Sequence, residues 1–175
     1  MSVYVVCKMR SSYSFSFIIG AFLLLMMGFS RPDDVLAITA PELRGQRSYQ
    51  NITSDMHGKQ LQQQEFLKSD LHGIDFSESD LRGTVFNNSD LHDSNLSKAN
   101  LEDVVAFASR FDGADLRQTN FRNGMLLQSR FKDTLIEGAD FTDAILDLPQ
   151  KKSLCKVASG INLISGVSTK ESLRC

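Results

Sequence analysis

Three sets of residues have types and spacings that could carry chemistry. Carboxylates recur through the middle of the chain, among them Asp70, Asp90, Asp115 and Asp140; neighbouring carboxylates can do general acid–base work. His72 and His92 stand 20 residues apart, with Asp93 beside the second. Imidazoles next to a carboxylate can hold a metal or relay a proton once the fold brings them together. Cys155 and Cys175 form an even pair near the C-terminus. No nucleophile elbow, glycine-rich phosphate loop or clustered metal-ligand spacing accompanies these residues. The expectation is a protein that is not an enzyme, with no catalytic residues, no metal and no cofactor.

What these residues can do depends on the elements that position them, and composition sets the first bounds. The chain has 175 residues and a formal net charge of -2. That charge excludes a strongly basic nucleic-acid binder and a highly charged disordered tail. Apolar residues make up 23 of the first 37 positions but only 50 of the remaining 138. The first stretch reads as an address. Lys8 and Arg10 precede an uncharged apolar run from Phe15 to Phe29, Pro32 breaks it, and Val35-Leu36-Ala37 supplies a small-residue cleavage pattern. Fifteen helical residues span roughly 22 Å, short of the roughly 30 Å hydrocarbon core. Residues 1–37 are therefore expected to be a Sec-type signal peptide cleaved after Ala37, with Ala40 the alternative site and an uncleaved anchor the competing reading. The rest of the chain would then work outside the cytoplasm, without a membrane contact once the signal is removed.

Signal removal takes Cys7 with it. In an oxidising compartment the remaining pair, Cys155 and Cys175, reads as a disulfide rather than two free thiols. It closes a loop worth about 3 kcal/mol in the chain-entropy model.

From residue 61 a period of five fills the middle of the chain. The central positions are Leu61, Phe66, Leu71, Phe76, Leu81, Phe86, Leu91, Leu96 and Leu101. After Ala106 they continue as Phe111, Leu116, Phe121, Leu126, Phe131, Ile136, Phe141 and Leu146. Two positions before each, 14 of 18 residues are Ala, Ser, Thr or Gly. Five is neither the helical period of 3.6 nor the strand period of 2, so the chain must turn a corner every five residues. Four corners close a coil of about 20 residues. The central Leu or Phe and its small partner point inward, and the other three residues face water. The carboxylates recur because the repeat recurs, so they do not form a catalytic pair. Gly73, Gly83, Gly113 and Gly138 fall at the corner, where a permissive backbone is useful.

These residues resemble the pentapeptide-repeat family, whose pattern is A(D/N)LXX. The resemblance covers residues 59–148 and implies an all-β solenoid, a right-handed quadrilateral parallel β-helix of about 4.5 coils. The tail adds Leu154-Cys155, Ala158-Ser159-Gly160, Asn162, Gly166, Thr169 and Ser172-Leu173-x-Cys175. It is similar to the C-terminal motif of cyanobacterial and chloroplast-lumenal members, many of which carry Pro and Thr where this chain has Leu163 and Ser165. A plant protein would need a transit peptide ahead of the signal, for which 37 residues are expected to leave no room. The thylakoid lumen or periplasm of a cyanobacterium is the expected location. Residues 149–175 are expected to be a helical lid: Pro149 opens a helix to about Ala158, Gly160 stops it, and Ser168-x-x-Glu171 is a capping box for a second. Residues 38–58 cap the first coil or stay loose.

Residues 20 apart should stack about 4.8 Å apart on one face. Ser69, Ser89, Ser109 and Ser129 then form an inner hydrogen-bonding column, with Asp70, Asp90, Arg110 and Arg130 outside it. His72 and His92 stack on that face, as a weak metal site or, the commoner case, as solvated rings. Another face carries Val85, Val105, Met125 and Ile145 in one column, with Leu67, Phe107, Ala108 and Leu127 beside it. Eight clustered apolar side chains mark a contact surface. Its occupant would be an unknown lumenal or periplasmic protein, a second copy, or the chain's own termini, with Phe107 alternatively swinging inward over Ala106. Residues 59–148 sum to -7 and residues 149–175 to +4. A non-catalytic binding or scaffold module is the expected function. A redox-responsive structural protein switched at Cys155–Cys175 is the alternative. A DNA mimic acting on a topoisomerase, a role some members of the family perform, fits a net -7 with one apolar side poorly, and no nucleic acid is expected as a partner.

Overall fold

The computed structural model describes residues 52–175. The expected signal peptide and residues 38–51 of the expected N-terminal segment lie outside the described residues.

Every fifth residue from Asp55 to Ile145 forms a single-residue parallel bridge with the residue 20 positions away, giving fifteen such bridges from Asp55↔Asp75 to Met125↔Ile145. One coil is therefore 20 residues, or four repeats. The segments between corners are too short to make longer strands, so the sheet exists as stacked bridges. The result is a β-helix solenoid. The ladder bonds run both ways between neighbouring coils: Leu71 N–H donates to the Asp90 carbonyl at 2.7 Å, and Asp90 N–H donates to the Ser69 carbonyl at 2.9 Å.

The corner has a constant form. In most repeats the N–H three residues after the central residue donates back to its carbonyl, as from Ala99 to Leu96 and from Ala114 to Phe111, both 3.0 Å. The residue two after the center takes positive φ in every repeat from Gly58 to Asp143, as the third position of a type II turn requires. Glycine fills it at Gly73, Gly83, Gly113 and Gly138, but Asp, Asn, Gln, Lys, Glu and Ala fill most of the others. The left-handed conformation costs an L-residue about 1 kcal/mol, so the closure of the coil imposes it against local preference.

The central residues are buried from Leu61 through Phe141. Rings 20 apart stack: Phe66 on Phe86 at 5.1 Å, Phe111 on Phe131 at 5.1 Å, and Phe121 on Phe141 at 5.2 Å. Rings 10 apart meet edge to face across the interior, as Phe111 and Phe121 do at 6.2 Å. The interior is thus filled by side chains from opposite faces. The serine column forms as expected. The hydroxyls of Ser89, Ser109 and Ser129 accept from the N–H of Ser69, Ser89 and Ser109 respectively, and donate to the carbonyls of Phe66, Phe86 and Ala106. No buried side-chain polar atom among the described residues lacks a partner.

Two boundaries differ from the sequence reading. The coil begins one repeat earlier than residue 59: Met56 is buried as a central residue, Asp55 bridges Asp75, and Gly58 N–H donates to the Ser77 carbonyl. The repeat pattern hides this, because Met replaces Leu or Phe and Ser54 lacks a following Asp-Leu. His57 therefore stands in a coil, with Nδ1 2.8 Å from the Ser77 hydroxyl. At the other end Leu146, read as a core residue, is only half-buried, since no further coil stacks on it.

Beyond the coil, α1 spans Leu148–Val157 with Pro in its first turn, and α2 spans Thr169–Ser172, with the Ser168 side chain accepting from Glu171 N–H at 3.2 Å. Leu154 and Leu173 join the coil core. Ser159 and Ser172 accept from the N–H groups of Gly138 and Phe141, and Thr169 donates to the Ile136 carbonyl. The tail thus takes over ladder positions of the last coil. Cys155 and Cys175 are bonded, with Cα atoms 5.7 Å apart; Cys175 lies three residues past the end of α2.

Phe111→Ala is expected to lower the unfolding free energy by about 3–5 kcal/mol, and Leu146→Ala by less than half of that. Urea denaturation followed by circular dichroism measures both.

Candidate functional site

The residue just before the central position decides what each face presents. Where it is Asp or Asn, its side-chain oxygen accepts the N–H two residues on and locks the corner: Asp75 from Ser77 at 2.9 Å, Asn95 from Ser97 at 3.1 Å, Asp115 from Arg117 at 3.1 Å. This is an Asx turn, and it is what the recurring carboxylates are used for. The hydrogen bond from the Ser77 hydroxyl holds the Asp75 carboxyl below the usual carboxylate range, and Arg82 does the same for Asp80. Asp140 is fully buried. Burial pushes its pKa up, but hydrogen bonds from Thr142 and Ser165 outweigh this and leave it lowered. These depressed carboxyls stabilise the fold above their unfolded pKa, and that contribution is lost as pH falls through the lowered value.

On one face the lock is absent. The same position there holds Val85, Val105, Met125 and Ile145, bridged coil to coil. Val85 and Val105 are half-buried, while Met125 and Ile145 are 47% and 49% exposed. Beside them Leu67 and Phe107 are exposed at 43% and 41%, and Ala108 and Leu127 are half-buried. Phe107 stays outside, its N–H donating to Asn87 Oδ1 at 3.1 Å. All eight residues read from the sequence therefore gather on one side. The column runs on at Ile145 into a half-open cleft of about 330 Å³ between the last coil and the tail, lined by Phe141, Ala144, Leu146, Leu148 and Leu173 and rimmed by Lys151 and Arg174.

The histidine face also forms. The His72 and His92 rings stack at 5.0 Å, and each Nδ1 meets its own carboxylate, Asp70 at 2.7 Å and Asp90 at 2.9 Å. The hydrogen bond to Asp70 raises the His72 pKa above 6.5 and lowers that of Asp70. No group of three or more His, Cys, Asp or Glu side chains among the described residues is placed to hold a metal. Arg110 reaches Asp90 at 3.4 Å, but its nearer partner is Asp112 at 2.9 Å, which also takes Arg130 at 2.8 Å. Asp112 separates the two stacked arginines, a relief the column-by-column reading missed because Asp112 belongs to a different column.

Sequence reasoning also missed a second set of apolar side chains. Val157 and Ile161 are each 58% exposed, Leu163 84% and Ile164 88%, all in the tail. The tail has no period, so nothing in its spacing separates inward from outward residues.

Residues 68–105 and 109–147 match the family model for pentapeptide repeats, in eight copies. The coil is a pentapeptide-repeat domain. Among curated proteins, thylakoid lumenal protein TL20.3, chloroplastic, of Arabidopsis thaliana is 58% identical over 38 residues. That stretch is 22% of this chain and only 14% of the relative. Among solved structures, a pentapeptide repeat protein from the Arabidopsis thaliana thylakoid lumen is 29% identical, covering 69% of this chain and 90% of that one, with a TM-score of 0.27. HetL, a pentapeptide repeat protein involved in heterocyst differentiation regulation in the cyanobacterium Nostoc, is 25% identical, covering 50% and 39%, with a TM-score of 0.34.

Asp70→Asn is expected to bring the His72 pKa down toward 6.5, read by NMR titration of the imidazole protons. Because the folded pKa is raised, the pair's stabilisation is full below the unfolded His pKa and lost as pH rises through the folded one.

Proposed function

We propose that this protein is a non-catalytic binding or scaffold module, exported to the thylakoid lumen or periplasm of a cyanobacterium, that engages a protein partner through the apolar face of its coil. The observation that carries this reading is the unbroken run Val85, Val105, Met125, Ile145 in one column, at the position that in most repeats on the other faces holds the corner-locking Asp or Asn. Four successive coils forgo a local hydrogen bond and display apolar side chains instead, which folding alone does not require. The exported location is supported by the pattern of residues 1–37 and by the similarity of the repeats to a thylakoid lumenal protein. In this reading the right-handed coil is a rigid ruler, and the tail is its lid, closing the end where an unpaired coil would otherwise be exposed.

Met125→Glu with Leu127→Glu is expected to leave the melting temperature unchanged and to abolish capture of the partner from an extract of the protein's own compartment. Capture that is undiminished overturns the assignment. Loss of a dimer in the variant would identify the partner as a second copy.

The bonded Cys155–Cys175 pair supports a second reading, a redox-responsive structural protein whose lid loosens on reduction. The bond closes a loop worth about 3 kcal/mol, so reductant is expected to lower the melting temperature measurably. An identical melting temperature with and without reductant removes any switch role.

A further inference from the structure

The tail presents aliphatic side chains in a form that a buried contact does not explain. Ile161 pairs with Ser168 in an antiparallel bridge, and the connecting loop carries Leu163 and Ile164 at its tip. These are the two most exposed large hydrophobic residues among those described, at 84% and 88%. The loop that holds them is fixed. Asn162 is buried, and its Nδ2 donates to the Gly138 and Gln118 carbonyls at 2.8 and 3.3 Å. Its Oδ1 accepts from the N–H groups of Ile164 and Ser165, both at 3.0 Å. The Gln118 side chain grips the other strand, donating to the Ile161 carbonyl at 3.0 Å and accepting from Leu163 N–H at 2.8 Å. Backbone polar groups are thus satisfied while the two side chains project into solvent. They form a convex tip, not a groove.

We infer that this tip is a contact for the anionic headgroup surface of a lipid bilayer, with Leu163 and Ile164 entering the interface and the tail's basic residues holding the charge. Residues 149–175 carry five bases and one acid, while residues 59–148 sum to -7. Lys152, Lys156 and Lys170 make no ion pair among the described residues. An anionic surface repels the coil and attracts the tail, so the molecule meets it tail first. Protruding aliphatic side chains in a segment that also carries unpaired lysines are the pattern of a peripheral interfacial contact, in which neither the apolar nor the electrostatic component suffices alone. A protein site for the same residues would need a pocket on the partner and no particular lipid charge. The contact lies outside the apolar coil face, so the two can fail separately. It also departs from the expectation of no membrane contact after signal removal, which rested on the reading of residues 1–37 as a cleaved signal.

The test uses residues 38–175. Among the described residues the buried core runs continuously from Met56 to Leu173, so residues 38–175 retain it without the apolar leader, which would itself bind lipid. Co-sedimentation is measured with vesicles of phosphatidylglycerol and phosphatidylcholine, and with phosphatidylcholine alone. The expected result is partition onto the anionic vesicles, weakened by salt, and little onto the neutral ones. Leu163→Asp with Ile164→Asp is expected to lower that partition at least tenfold, and Lys152→Gln, Lys156→Gln and Lys170→Gln together several-fold. Circular dichroism melts confirm that both variants fold. Met125→Glu with Leu127→Glu should leave vesicle binding unchanged. Absence of binding to anionic vesicles, or equal binding by wild type and the tip variant, overturns the proposal. So does a soluble protein that requires Leu163 and Ile164 while vesicles do not bind.

Discussion

The fold depends on one constraint: after 20 residues the backbone must return directly above itself. Only then can Leu71 N–H meet Asp90 carbonyl, and each later residue its neighbor one coil on. That closure demands four equal corners per coil, and each corner demands a residue at positive φ. Glycine meets the demand without strain at Gly73 and Gly113, but Lys98, Gln118 and Asp133 adopt the same conformation. Their local cost is offset by the ladder bonds and by the stacked core that the closure creates. A single left-handed residue is a blemish in most folds, whereas here it is a structural unit.

The same constraint assigns the side chains. Central Leu and Phe fill the interior, and the small residue two positions before leaves room for them while its hydroxyl, where it has one, satisfies a carbonyl. Ser89 bonding to Phe66 and Thr119 to Leu96 show the hydroxyl reaching into the preceding coil. The Asp or Asn before the center ties down the corner. With these tasks filled, the exceptions become informative. Val85, Val105, Met125 and Ile145 perform no corner lock, and Leu163 and Ile164 perform no packing. Both sets sit on rigid supports, so their exposure is a property of the fold and not of a loose end.

The two ends of the coil show how the ladder is terminated. At the C-terminal end side chains and tail backbone replace the missing coil: Gln150 accepts from Phe131 N–H, Ser159 from Gly138 and Ser172 from Phe141. The replacement is incomplete over Leu146, which leaves the cleft beside Ile145. The Cys155–Cys175 bond joins the two tail segments that make these contacts.

Much of this was readable before any coordinates. A period of five held without a slip from Leu61 to Leu146 determines the coil, its 20-residue stacking, the serine ladder and the eight apolar residues that share a face, because a strict repeat converts sequence distance directly into spatial distance. The even cysteine pair determined the disulfide in the same simple way. Where the repeat stops, so does that conversion. Met56 as the first buried center, the half-exposed Leu146, the bridging of Arg110 and Arg130 by Asp112, and the projection of Leu163 and Ile164 all depend on which atoms lie above, below or across from a residue. Those neighbors come from different columns or from the aperiodic tail, and only the tertiary structure brings them together.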